Sequence, residues 1–161
     1  MINVRLVTEL DRHAIMELCT ANDGDYVDNY IDMLQYYYDF ETEHMYGIFV
    51  FGELVGLATT GYNDDYYITD EGDINNLKKL GTPDEVIKNT GDYLTISNVY
   101  VAKKHRGSSY ANCLIEGIIT HENNVYVIHP ICDKIKEYYL RCESVFPSNY
   151  EPTILLGYKK R

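Results

Sequence analysis

The residues best able to do chemistry lie together in Val99-Tyr100-Val101-Ala102-Lys103-Lys104-His105-Arg106-Gly107-Ser108-Ser109-Tyr110-Ala111-Asn112-Cys113-Leu114. Residues 99–101 read as a strand and the run from Tyr110 as a helix, so the residues between them make a tight strand-to-helix turn. That arrangement suits phosphate binding. Small side chains let a ligand approach the main chain, several N–H groups point outward, and the helix N-terminus adds partial positive charge. Lys103, Lys104, His105 and Arg106 form a basic cluster in a chain with 25 acidic against 14 basic residues and a net charge of −11. The cluster reads either as an attractor for phosphate or as an ordinary solvated loop.

The elements that must position this turn follow from hydrophobic period. A strand over 2–7 alternates apolar with polar side chains, and Thr8 reads as the cap of a helix carrying Leu10, Ala14, Ile15, Leu18 and Cys19 on one face. A second helix places Val27, Tyr30, Ile31, Leu34, Tyr37 and Tyr38 at three-and-four spacing. Residues 45–51 and 54–62 read as a hairpin about Gly52-Glu53, a two-residue turn headed by glycine. Residues 63–93 form a long connection with a short helix ending near Gly81 and a second helix start at Thr82-Pro83-Asp84-Glu85. The strand over 93–101 changes phase between Leu94/Ile96 and Val99/Val101, a shift that a β-bulge near Ser97-Asn98 repairs. A helix over 110–120, a short apolar strand over 125–128, a helix over 131–144 and one last strand over 153–158 complete the order.

Strand, helix and strand across 94–128 require a parallel pair with a right-handed crossover, whereas the hairpin is antiparallel. The expected class is therefore α/β (α+β): a mixed, mostly antiparallel sheet with helices on both faces. One domain spans 1–161, with 63–93 an insertion between the third and fourth strands. At 161 residues and 45% hydrophobic content the chain can bury roughly two-thirds of its unfolded surface. No run of ~18 apolar residues argues for a membrane span, and the first residues lack the layout of a secretion signal, so a cytoplasmic location is expected. Cys19, Cys113, Cys132 and Cys142 fit neither a zinc spacing nor a disulfide framework, and no metal is expected. The acidic balance disfavours nucleic acid and suits either a cationic partner or simple solubility. The 17 tyrosines, with no tryptophan, suit a wet binding groove or reflect base composition.

Within this element order, the turn after the strand resembles the acyl-CoA loop of the GNAT superfamily of N-acyltransferases. There Arg or Gln is followed three residues later by Gly and five later by Gly or Ala; here those positions are Arg106, Ser109 and Ala111. Ser109 departs from that pattern, and a positive φ at this position would strain it by about 1 kcal/mol relative to glycine. The resemblance implies a GNAT-like fold with acetyl-CoA (coenzyme A) as co-substrate. It implies that Val99 and Val101 pair with the pantetheine arm as a pseudo-strand, while Arg106, Gly107, Ser108, Ser109, Tyr110 and Ala111 surround the pyrophosphate. It also implies an N-acetyltransferase acting on a primary amine of a cationic acceptor, small molecule or protein, and is compatible with a homodimer. The C-terminal end shows one clear strand where the family usually has two.

Aligning the family's Tyr-x-Lys/Arg helix with Tyr139-Leu140-Arg141 makes Tyr139 the acid for the departing thiolate, or else half-buried packing. No general base emerges. The central strand offers only Thr95, Ser97 and Asn98; Asp64, Asp65 and Asp70 suit an acidic rim; His105, His121 and His129 fall at loop or strand ends. Tyr26, Tyr30, Tyr36, Tyr37 and Tyr38 with the acidic insertion suit a cationic amine, or pack against the sheet. The alternative is a catalytically degenerate GNAT-fold protein acting as a binding or inhibitory module for a basic partner.

Overall fold

The structure, a computed structural model, describes residues 1–20, 44–63, 68–88, 93–130, 133–150 and 153–160. The expected second helix with its tyrosines, and Asp64 and Asp65, lie outside these. The elements are β1 (Ile2–Leu6), a 3-10 turn (Glu9–Asp11), α1 (Arg12–Thr20), β2 (Met45–Val50), β3 (Glu53–Asn63), α2 (Glu71–Lys79), α3 (Asp84–Lys88) and β4 (Tyr93–Val101). A second 3-10 turn (Lys103–His105), α4 (Tyr110–Glu122), β5 (Tyr126–Ile128), α5 (Asp133–Leu140), β6 (Val145–Pro147) and β7 (Leu155–Gly157) follow. Seven strands take the order β1-β2-β3-β4-β5-β7-β6. β4 and β5 run parallel, while β1–β2, β2–β3, β5–β7 and β6–β7 are antiparallel, giving the expected mixed α+β sheet.

The chain forms two compact units, Met1–Thr60 with Ser97–Ile118, and Gly61–Ile96 with Ile119–Arg161. In the first, Val7, Ile15, Leu18, Met45, Leu57 and Tyr100 build the core. Gly117 lets α4 lie close on β1, because a Cβ there would stand 2.5 Å from Val4 Cβ. Thr8 caps the first 3-10 turn: its Oγ1 accepts from the Leu10 N–H at 3.3 Å, and its own N–H donates to Asp11 at 2.8 Å. Arg5 grips Asp11 with two bonds of 2.8 and 2.9 Å, and its guanidinium lies 4.0 Å over the Phe49 ring. These bonds hold the Asp11 carboxyl below its usual range, Arg5 contributing most and the Thr8 N–H adding to it. Leu10 does not join the apolar stripe; it is 95% exposed, because it belongs to the 3-10 turn and α1 starts only at Arg12.

The hairpin also differs from expectation. Val50 pairs with Glu53, so the two turn residues are Phe51 and Gly52, with φ of 49° and 81°. Positive φ at both is the signature of a type I′ turn rather than a glycine-headed one. The register then jumps from Ile48–Gly56 to Phe49–Leu54, leaving Val55 as an extra residue on β3. The expectation of a bulge near Ser97-Asn98 concerns residues whose side chains lie outside the description.

In the second unit, Leu94, Thr95 and Ile96 pair with Tyr126, Val127 and Ile128. Leu77, Ile87, Tyr93, Val127, Ile154 and Leu156 form its core. Both helices of the 63–93 connection are present, and Gly81, at φ +87°, follows the end of α2. Thr82 does not cap α3; its buried Oγ1 has no hydrogen-bond partner, and the Val86 and Ile87 N–H groups both reach the Pro83 carbonyl. Asp70 serves as the N-cap of α2, accepting from the Asp73 N–H at 2.9 Å. Asp73 is itself buried and accepts from Ser148 Oγ at 2.7 Å and the Asn149 N–H at 2.8 Å, which ties the connection to the β6–β7 loop. Burial pushes the Tyr93 hydroxyl pKa up, and that hydroxyl donates to the Ile87 carbonyl at 2.8 Å.

Two further corrections concern the C-terminal part. α5 stops at Leu140 rather than near residue 144, the chain tightening as the Cys142 N–H reaches back three residues to the Tyr139 carbonyl at 3.0 Å. The strand missing from the sequence reading is β6, three residues ending in Pro147 and paired with β7.

Candidate functional site

The site is built on the end of β4. The Ala102 N–H donates to the Val55 carbonyl of β3 at 2.9 Å. With no cis peptide present among the described residues, the Val101 carbonyl must point the opposite way, away from β3. Strand alternation puts the polar groups of Val99 on that same edge. The Val101 carbonyl accepts from Arg106 Nε at 2.9 Å, with the guanidinium carbon 5.7 Å from the centroid of the Tyr100 ring.

The 3-10 turn between them closes through the His105 N–H to the Ala102 carbonyl, 2.9 Å, and the Arg106 N–H to the Lys103 carbonyl, 3.2 Å. The N–H of Arg106 is therefore already engaged. Beyond it the chain opens. Gly107 takes φ +94° with nothing within 4 Å of where a Cβ would stand, and Ser109 takes φ +59°. Left-handed residues in a tight turn are a common element of the concavities that bind anions through main-chain N–H groups. α4 then starts as the Ser109 carbonyl accepts from the Cys113 N–H at 3.1 Å.

The backbone N–H groups of Gly107, Ser108, Ser109, Tyr110, Ala111 and Asn112 find no acceptor among the described residues. Residues 106–109 are exposed. Six free donors, the N-terminal end of a helix of 13 residues and Arg106 thus belong to one short stretch of chain. Free main-chain N–H groups at a helix N-terminus are chemically suited to an anion such as a polyphosphate. The rest of the basic cluster is partly engaged: Lys104 Nζ lies 3.4 Å from Glu53 Oε1, and His105 Nε2, 3.7 Å from the same oxygen, makes no hydrogen bond. Glu53 was missed by sequence reasoning; it stands 51 positions before Lys104, and no local pattern links them.

The expected donor-binding residues Val99, Val101, Arg106, Gly107, Ser108, Ser109, Tyr110 and Ala111 all belong to the first unit. Tyr139 belongs to the second unit. It is 6% exposed on α5 and meets the half-buried Tyr138 ring edge-on, with centroids 5.6 Å apart. His121 and His129 are exposed, and Thr95 Oγ1 is buried without a hydrogen-bond partner. Among the described residues no cluster of His, Cys, Asp and Glu could hold a metal ion, and no helix is long and apolar enough to cross a membrane.

Comparison with solved structures identifies the fold as that of the GCN5-related N-acetyltransferases. The chain is similar to the Bacillus subtilis N-acetyltransferase YlbP in complex with coenzyme A, at 16% identity over 98% of this chain and 97% of that one, TM-score 0.54. It is similar to a GNAT family acetyltransferase from Brucella melitensis in complex with acetyl-CoA, at 8% identity over 100% and 90%, TM-score 0.58. A GCN5-related N-acetyltransferase from Kribbella flavida shares 13% identity over 86% of this chain, TM-score 0.51, and the present chain spans only 32% of its length. No protein-family model matches the chain, and no curated protein sequence does. At these identities the likeness is one of fold.

Proposed function

We propose that this protein is an N-acetyltransferase that moves an acetyl group from acetyl-CoA to a primary amine. The observation that carries the reading is the run of six unpaired N–H groups after Arg106, at the strand-to-helix turn of a fold whose solved neighbours include coenzyme A complexes. The diphosphate of the donor sits on these groups, and its pantetheine arm pairs along the Val99 and Val101 edge of β4. Acetyl-CoA, when bound, supplies the thioester carbonyl that the amine attacks. The new C–N bond forms as the C–S bond breaks, and the thiolate takes a proton. Tyr139 is the residue we assign to give that proton, and the amine's proton leaves to solvent. The acceptor we favour is cationic, since a chain of net charge −11 concentrates cations at its surface.

Calorimetric titration with acetyl-CoA, desulfo-CoA and ATP tests the donor site. Micromolar binding of both pantetheine-bearing ligands, with ATP much weaker, supports the assignment. No binding at millimolar ligand retires it in favour of a non-catalytic module. Tyr139→Phe should lower turnover about 100-fold with donor affinity unchanged. Wild-type turnover in that variant would remove Tyr139 from the mechanism, and Tyr138→Phe serves as the comparison.

A further inference from the structure

Arg106 occupies two roles at once. It stands immediately before the six unpaired N–H groups, and its Nε holds the Val101 carbonyl at 2.9 Å. That carbonyl faces away from β3, on the edge along which a pantetheine arm would pair. The terminal nitrogens of the same guanidinium have no acceptor among the described residues.

We infer that Arg106 is a specificity-determining residue: it covers the Val101 carbonyl until a diphosphate draws its guanidinium away, so pantetheine pairing depends on phosphate. The inference rests on the acyl-CoA reading above. An amide N–H of the arm and Arg106 Nε–H compete for one oxygen. A donor on a cation makes the stronger hydrogen bond, so a neutral amide arriving alone loses. A diphosphate seated on the N–H groups of residues 107–112 changes the balance. It places several anionic oxygens beside the residue that carries the guanidinium, and the planar fork can take two of them together. Released from Val101, Arg106 then neutralises the phosphate while the arm takes the freed carbonyl. Thioesters of pantetheine without phosphate are rejected, and coenzyme A thioesters are accepted. The ion pairing of Lys104 with Glu53 leaves Arg106 as the cation best placed for this exchange.

The test compares acetyl-CoA with phosphate-free S-acetylpantetheine on the wild type and on Arg106→Ala and Arg106→Gln. Removing the competing donor should tighten S-acetylpantetheine binding about tenfold, the scale of a hydrogen bond to a charged group, while acetyl-CoA binding weakens. NMR of arginine side chains in the wild type gives a second readout that needs no functional variant. The Arg106 Nε–H, assigned by its loss in Arg106→Lys, should be protected from exchange in the free protein and in S-acetylpantetheine. Acetyl-CoA should remove that protection. Unchanged or weaker S-acetylpantetheine binding in both substituted proteins, with acetyl-CoA still bound by the wild type, overturns the inference alone; the oxygen would then serve both donors. Persistent Nε–H protection in saturating acetyl-CoA overturns it as well. A wild type that binds no acetyl-CoA removes the donor-site reading, and the inference with it.

Discussion

Ser109 holds φ at +59°, a backbone state that costs a residue with a Cβ about 1 kcal/mol and glycine almost nothing. Replacing it with glycine removes that strain but adds unfolded-state freedom worth about 0.5–1 kcal/mol, so the single substitution should be nearly neutral. Ser108 supplies the control. It is the adjacent residue, equally exposed, and its φ is not positive, so Ser108→Gly bears the entropic cost without relief. The two variants should therefore differ by about 1 kcal/mol in favour of Ser109→Gly, a gap of roughly 2–4 °C in Tm for a chain of this size. Urea unfolding followed by far-UV circular dichroism suits a protein with no tryptophan. Equal slopes would license reading the midpoints as stability. Equal destabilisation by both glycines, or a greater loss at Ser109, would refute the reasoning, since the left-handed turn would then not be where the strain resides.

Two other perturbations probe the frame that carries the site. Phe51→Asn should stabilise the protein by about 1 kcal/mol in the same unfolding assay, because Phe51 is 85% exposed at φ +49° in a turn that favours asparagine there. Asp11→Asn should cost about 1 kcal/mol at pH 7, through a weakened cap and a lost grip on Arg5. The sign with pH follows from the lowered Asp11 pKa: its contribution is complete above the unfolded value near ~3.9 and is lost as pH falls through the folded one. The gap between wild type and variant should close below pH 4, and a gap independent of pH would contradict the assignment.

Most of the fold was legible because its strands and helices carry their own period. Residues 2–6, 45–50 and 93–101 alternate or run apolar, and 110–122 follows a turn that only a helix could leave. What escaped depended on partners far along the chain. β6 is three residues whose identity as a strand exists only in its ladder with Leu155, Leu156 and Gly157. Phe51 at a type I′ position runs against local preference, so the turn was placed one residue late. Thr82 reads as a cap by composition, yet its hydroxyl is buried without a partner, and it is the Pro83 carbonyl that accepts the first N–H groups of the helix. The loop itself was legible from its small residues and basic head. The Arg106 hold on Val101 was not, because it depends on which side of β4 each carbonyl faces.

The same distinction accounts for a chain that matches structures over nearly its whole length at 8% and 16% identity while matching no family model. A diphosphate seat made from main-chain N–H groups asks little of side chains: residues tolerant of positive φ, small neighbours and a following helix. On the acyl-CoA reading proposed above, Gly107 and Ser109 would meet that demand through φ of +94° and +59°, although Ser109 departs from the glycine of the pattern it resembles. Selection on such a site acts on backbone conformation, and several sequences satisfy it at a cost of about 1 kcal/mol. Side-chain identity matters where a head group must do something main chain cannot, which here is the charge and Nε–H of Arg106. Substitutions at Ser108 and Ser109 should thus register chiefly in stability, and those at Arg106 chiefly in which donor the protein accepts.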